Sequence, residues 1–240
     1  MYLGAGSVTL TTRVATVTYR VEKSDLDSVA SLVARAMARY PVFTYVIPDD
    51  ASCSGGTSAR LPREDKLRSV LRFILGIAAL QGEIVAPSRG IEAVAVWVRS
   101  ENMRLATTEI LRAGFATLPL KIGLPATKRL LGVGRSKHRK RAQLLTGRYY
   151  LLDMLSVDPK QQNKGYGRLL LESKLQDIDR ECARCYLETS DARNIEYYQR
   201  FGFELVHQYR IASVPVFCLL RPQSTPQILT DARGINLQDA

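Results

Sequence analysis

Nowhere in this chain of 240 residues do eighteen apolar residues follow one another, which excludes a transmembrane helix. The first twenty residues, MYLGAGSVTLTTRVATVTYR, lack a basic segment followed by an apolar block. They do not read as a secretory leader, and they are too poor in Arg and Ser for a transit segment. Cysteine is scarce: Cys53, Cys182, Cys185 and Cys218 are the whole set. With no leader, a disulfide framework is not expected. Histidine is scarcer still, with His138 and His207 alone. A zinc site built on Cys182 and Cys185 would need a second ligand pair, so no metal is expected. The pair reads instead as a helix end running into a buried strand. Internal repeats and low-complexity stretches are also missing.

What the chain does have is a composition that suits a folded domain, 46% hydrophobic and 24% charged. Its length allows one large domain with a sizeable core. The 34 basic against 23 acidic residues leave a formal charge of +11. Such an excess favours polyanions, whether nucleic acid, a membrane surface or a phosphorylated cofactor. The cations cluster at Lys128–Arg129 and at Arg135, Lys137, Arg139, Lys140 and Arg141, either as a solvated face or as a binding patch. The cluster lacks interleaved aromatics, which disfavours nucleic acid as a partner. No membrane partner is expected, and the location is expected to be cytoplasmic.

Read for periodicity, residues 1–15 form an arm and Val14–Val21 alternate as a first strand. A helix starts at Ser24 and stops at Tyr40-Pro41. Residues 51–63 are a Gly- and Ser-rich loop. A helix spans Glu64 to Leu80, and strands follow at Ile84–Ala86 and Ala93–Val98. The run AVAVWV is nearly all apolar, as a buried central strand should be. Residues 101–148 form a helical insert with a basic loop, broken at Pro119, at Gly123–Pro125 and at Gly132–Gly134. From Tyr149 the order is strand 149–157, loop 158–165, helix 166–181, strand 184–189, helix 192–200, strand 203–211 and strand 214–220. Residues 223–240 are a polar tail. Residues 16–222 thus read as one mixed α/β domain.

The chemistry concentrates after Val157. The segment VDPKQQNKGYGR, residues 157–168, carries an apolar strand through a turn and two glycines into an amphipathic helix. Glycines allow left-handed backbone and close approach. The first helical turn presents unpaired N–H groups and the positive end of the helix dipole. Together they make a cradle for phosphate or pyrophosphate, with Lys164 and Arg168 adding charge. A dinucleotide fingerprint would need Gly where Leu170 stands, and the P-loop pattern is absent.

The spacing Gln162-x-x-Gly165-x-Gly167 resembles the acyl-CoA pyrophosphate loop of the Gcn5-related N-acetyltransferase (GNAT) superfamily. Residues 187–203, LETSDARNIEYYQRFGF, strengthen the likeness through Asn194, Tyr198 and Gly202-Phe203. This segment is especially similar to the puromycin N-acetyltransferase group. The likeness spans roughly residues 17–221, with 149–204 the specific part. It implies a GNAT-like fold: a central, mostly antiparallel sheet with helices on both faces and a helical insert. It also implies direct transfer of an acetyl group from acetyl-CoA to an amine in a ternary complex. A small-molecule amine is the expected acceptor. Alternatives are a protein or peptide acceptor, and a module that binds acyl-CoA without turnover.

The same resemblance assigns roles. The backbone of Leu155 and Val157 would bind the pantetheine amides. The amides of Gln162, Asn163, Lys164, Gly165, Tyr166, Gly167 and Arg168 would hold the pyrophosphate, and the Asn194 side chain would touch the pantetheine arm. Tyr198 would sit near the sulfur, where a phenol can protonate the departing thiolate. A core aromatic role stays open for it, and Tyr197 is the weaker candidate. Asp153, in an apolar strand, is a candidate base whose pKa would rise unless it is paired. Glu188 is the second candidate base or a substrate contact. Tyr40, Phe43, Tyr45 and Trp97 are candidate pocket walls.

Overall fold

A computed structural model describes residues 18–49, 61–104 and 106–223. The N-terminal arm, nearly all of the loop at 51–63 and all of the tail but Gln223 lie outside that set. The chain builds a seven-stranded sheet, in the order β1-β2-β3-β4-β5-β7-β6. The strands are β1 (Tyr19–Arg20), β2 (Gly82–Ala86), β3 (Ala93–Arg99), β4 (Tyr149–Val157), β5 (Arg184–Thr189), β6 (Glu204–Ile211) and β7 (Val214–Arg221). All neighbours are antiparallel except β4 and β5. Helices α1 (Leu26–Ala36), α2 (Pro41–Val46), α3 (Arg63–Gln81), α4 (Thr107–Arg112), α5 (Leu118–Ile122) and α6 (Leu124–Leu144) precede β4. Helices α7 (Tyr166–Arg180) and α8 (Arg193–Gln199) follow it. The mixed α/β architecture with a helical insert is the one the sequence implies.

Burial divides along the sheet. One apolar core joins α1, α2, α3, α5 and α6 to one face, and the other packs α7 and α8 beneath the opposite face. β3 contributes to both, which is why six of its seven residues are buried. The stripe Leu170, Leu171, Leu175 and Ile178 anchors α7, each side chain contributing about 1.5–3 kcal/mol. Close pairing also needs small residues. A Cβ at Gly82 would lie 1.9 Å from the Trp97 carbonyl oxygen, so only glycine lets β2 approach β3 there. Cys182 ends the α7 turn with φ 48°, and Cys185 is buried in β5, as a helix end running into a buried strand.

The structure departs most from the sequence reading at three places. Pro41 does not merely stop a helix. Tyr40 is extended, and Pro41 opens α2 as one of its first two residues, where a missing N–H costs nothing. Of the first strand, only Tyr19–Arg20 pairs among the described residues. The basic residues from 135 to 141 lie not in a loop but in α6, a continuous helix of 21 residues. Gly132 and Gly134 do not break it, because Ala126, Leu130 and Val133 are buried along one face. Tertiary packing there outweighs a propensity cost of about 1 kcal/mol per glycine.

The sheet opens at β4. Parallel pairing with β5 runs from Tyr149↔Arg184 to Leu152↔Leu187 and ends. On its other side β4 stays paired with β3 as far as Val157↔Ala93. Trp97 faces Leu152 and Val96 faces Met154, so Asp153 is an extra residue in β4. Such a bulge bends a strand and increases its twist. Beyond it β4 and β5 part, while β5 continues along β7 to Thr189↔Phe217. Backbone groups of β4 after Leu152 are thereby freed on the β5 side.

Candidate active site

Two cavities meet where β4 and β5 part. The larger, about 630 Å³, lies between the end of α1, β4, the loop after it and α8. Leu155, Val157, Gln162, Asn163, Gly165, Tyr166, Gly167, Arg168 and Asn194 all line it. The smaller, about 90 Å³, lies across the opening against α2 and α6. Met37, Tyr40, Leu155, Asn194 and Tyr198 border both.

The loop after β4 is shaped for an anion. Asp158 accepts from the Lys160 amide at 2.9 Å and pairs with Arg35. The hydrogen bond from Arg35 leads in holding its carboxyl below the usual range. Arg35 thereby ties the loop to α1. Asn163 and Gly165 both take left-handed backbone, at φ 63° and 82°, and turn the chain into α7. Gly165 is the N-cap, and the first bond closing the helix runs from the Leu169 amide to its carbonyl at 2.9 Å. The amides of Gln162 through Arg168 have no acceptor among the described residues, the orphan donors of a helix start. A Cβ at Gly167 would lie 3.0 Å from the Tyr197 hydroxyl, a tight contact that glycine avoids. Lys164 turns away, its Nζ donating to Gln161 at 2.8 Å. Arg168 bonds Glu172 at 2.8 Å and stays largely exposed. The Ser156 hydroxyl is buried without a partner among the described residues, and Ser156 also lines this cavity. Unpartnered amides in a left-handed turn, a close-approach glycine and an open strand edge fit a pyrophosphate carried on an amide-bearing arm.

Asn194 is held rather than free. Its Nδ2 donates to Thr189 Oγ1 at 3.0 Å. The Tyr40 hydroxyl lies 3.0 Å from the same oxygen and accepts from the Ser190 amide at 2.7 Å. These bonds fix the end of β5, α8 and the start of α2 around the opening. Tyr198 is buried, packed edge-on to Tyr197 and Phe203. Burial, then the neighbouring phenols of Tyr40 and Tyr197, push its pKa well up, so it keeps its proton. Tyr197 also lines the larger cavity, with its pKa raised by burial.

The smaller cavity is walled by Tyr40, Val42, Phe43, Asp153, Lys137 and Glu188. Glu188 is almost fully buried, its side chain 1% exposed. Arg141 grips it at 3.2 and 3.3 Å, Lys137 lies 3.4 Å away, and the Tyr186 hydroxyl donates at 3.1 Å. Burial alone would raise its pKa. The two cations and the hydrogen bonds from Arg141 and Tyr186 outweigh that and hold it below the ordinary value. Asp153 is the paired case, with Arg141 at 3.8 Å and a side chain 27% exposed. Of the four candidate wall aromatics, Tyr40 and Phe43 border this cavity and Tyr45 does not. Trp97 is buried on the other face of the sheet, with α7 and α8. It lines neither cavity of the opening. Sequence reading missed Met37, Ser156, Lys137 and Arg141. Lys137 and Arg141 stand four apart, which on a helix puts them on one face, but that signal is invisible once the segment is taken for a loop.

A family model and a curated relative identify the activity as acyl transfer. The acetyltransferase (GNAT) domain family matches residues 127–205, from α6 to the start of β6. An uncharacterised N-acetyltransferase of Schizosaccharomyces pombe is 26% identical over 217 residues, covering 86% of this chain and 83% of that protein. Among solved structures, a histone acetyltransferase HPA2 and related acetyltransferase from Corynebacterium glutamicum has a TM-score of 0.61. It is 18% identical, over 90% of this chain and all of that one. The C-terminal condensation domain of Ebony has a TM-score of 0.52 and 9% identity, over 86% of this chain and 98% of that one. Within residues 127–205 the chain is similar to the acetyltransferase (GNAT) domain family. Acetyl-CoA is the cosubstrate of that class.

Proposed function

We propose that the chain N-acetylates a small-molecule amine, with acetyl-CoA in the larger cavity and the amine entering the smaller one. The observation that carries this reading is the meeting of the two cavities at Tyr198, where β4 and β5 part. Acetyl-CoA, when bound, supplies an acetyl group on a thiolate leaving group. Gln162 through Arg168 would hold its pyrophosphate with backbone amides, and Leu155 and Val157 would bind the pantetheine amides with the open strand edge. Asn194, fixed by Thr189, would orient the arm.

Asp153 accepts the proton that the incoming ammonium must lose. The bulge sets its carboxylate on the wall of the smaller cavity. We assign Glu188 a positioning role instead: its oxygens are taken by Arg141, Lys137 and Tyr186, and it anchors α6 over the acceptor side. Tyr198 holds a proton at its phenol oxygen and donates it to the departing sulfur. Freed N–H groups of β4 stabilise charge on the carbonyl oxygen. Holding amine and thioester together across the opening supplies much of the remaining rate.

The smaller cavity, about 90 Å³, is narrow beside the larger one of about 630 Å³. That supports a compact amine end over a peptide backbone threaded across the site. The likeness of residues 187–203 to the puromycin N-acetyltransferase group makes aminonucleosides the first acceptors to try. A cytoplasmic location belongs to the same proposal. Thiol release from acetyl-CoA, measured against aminonucleosides, polyamines, arylalkylamines and short peptides, tests it. Turnover on a small amine, lost in Tyr198→Phe, is expected. Turnover confined to peptides would reject the small-molecule assignment. Tight acetyl-CoA binding with no turnover on any acceptor would favour a module that binds acyl-CoA without transfer.

A further inference from the structure

Between Ile110 and Leu152 the chain has ten Lys and Arg residues and no Asp or Glu. This one stretch therefore holds nearly all of the net charge of +11. Folded, it divides the cations by helix face. Lys137 and Arg141 point inward to Glu188, Arg129 donates to the Val46 carbonyl, and Lys140 lies over the Tyr209 ring. On the outer face of α6, Lys128, Arg135 and Arg139 are exposed and meet no acidic group among the described residues. At about 100° per residue, Leu124, Lys128, Arg135 and Arg139 fall within roughly 60° of arc.

Apolar surface continues the stripe. Leu124 is 65% exposed and Leu120, in the middle of α5, is 87% exposed. Lys121 beside them is exposed too. Leucines left in water next to unpaired cations mark a surface that lies on something both apolar and negatively charged. The exposed large apolar groups here are leucines. Phe, Tyr and Trp are missing between residues 116 and 148, where His138 is the single ring, and Phe115 packs against Phe73. Base stacking on single-stranded nucleic acid therefore has little platform.

We propose that the outer face of α5 and α6 docks on a bilayer bearing anionic headgroups, with Leu120 and Leu124 entering the interface and Lys128, Arg135 and Arg139 lying over the phosphates. The lack of a spanning segment led to the expectation of no membrane partner. That argument concerns crossing only, and the helical placement of the basic cluster replaces it for surface contact. The opposite face of α6 walls the acceptor cavity, so the bilayer would lie against the same helix that carries Lys137 and Arg141.

The test is co-sedimentation of the full chain with vesicles of phosphatidylcholine and with equimolar phosphatidylcholine–phosphatidylserine vesicles. Binding to the mixed vesicles alone is expected, weakening as salt rises. Arg135→Ser and Arg139→Ser should each weaken it about fivefold. Leu120→Ser with Leu124→Ser should weaken it further at fixed salt. Unchanged circular dichroism and unchanged acetyl-CoA turnover in these surface variants would tie the loss to docking. Equal binding to both vesicle types, or to neither, would overturn the proposal. So would binding to polyuridylate that competes with lipid and ignores the leucine substitutions.

Discussion

The two sides of the opening are built by different means. The proposed cofactor side, from Val157 to Arg168, offers backbone amides, two glycines and a helix start, and its charged side chains turn aside to Gln161 and Glu172. The proposed acceptor side offers side chains: Glu188, Arg141, Lys137 and Asp153, clamped between α6 and the sheet. A backbone cradle tolerates exchange of most side chains around it, because peptide groups are common to all residues. A buried ionic cluster does not, because removing one member leaves the others charged and unpaired. Substitutions on the two sides should accordingly separate into effects on cofactor binding and effects on folding and acceptor chemistry.

The largest effect should come from a residue that borders both cavities. Tyr198→Phe removes the phenol proton and should lower kcat about 10²–10⁴-fold. Equilibrium binding of acetyl-CoA, followed by calorimetry, should barely change. A matched loss of affinity would place Tyr198 in the cradle instead. Next is Asp153→Asn, which should lower kcat by about 10²-fold or more while leaving acetyl-CoA affinity intact. Steady-state kinetics against one amine would read it, and an undiminished kcat would move the base elsewhere.

Glu188→Gln sharpens the comparison from the folding side. It leaves Arg141 and Lys137 without their buried partner and should cost about 3–5 kcal/mol in denaturant unfolding. Because the folded pKa of Glu188 lies below its ordinary 4.5, the unfolded chain binds more protons in that window. Its stabilisation is therefore present above pH 4.5 and lost as pH falls through the lower folded value. The wild-type stability should drop more steeply below that pH than the Gln variant's, and equal slopes would show that Glu188 is not held charged. The smallest effect belongs to the cradle. Gly167→Ala forces a methyl within 3.0 Å of the Tyr197 hydroxyl. Calorimetry should find acetyl-CoA affinity several-fold weaker and thermal stability reduced by about 1 kcal/mol.

This division also explains what the sequence made legible. Strand 149–157 and strand 184–189 match their predicted limits to the residue, and helix 166–181 differs by one. Apolar strands, paired glycines and an amphipathic stripe are local patterns, so residues adjacent in sequence suffice to read them. Gln162, Gly165, Gly167 and Asn194 line one cavity for the same reason. The acceptor side depends on contacts such as Arg141 with Glu188, 47 residues apart. Nothing local shows that α6 would bring them together. Gly132 and Gly134 spoke for a break, and the burial that overrode them became visible only in the fold. Trp97 was misplaced because an all-apolar strand gives no sign of which face each side chain takes. The bulge at Asp153, which parts β4 from β5, likewise leaves no mark in a run of apolar residues.

Hydrogen exchange of the backbone amides, with and without acetyl-CoA, tests the central claim most directly. Protection is predicted in two peptides, 153–157 along the open edge of β4 and 162–168 at the start of α7, with α4 and α5 unaffected. Protection that spares both segments, or that falls on the groove at the far end of β4 around Arg148 and Arg184, would contradict the account.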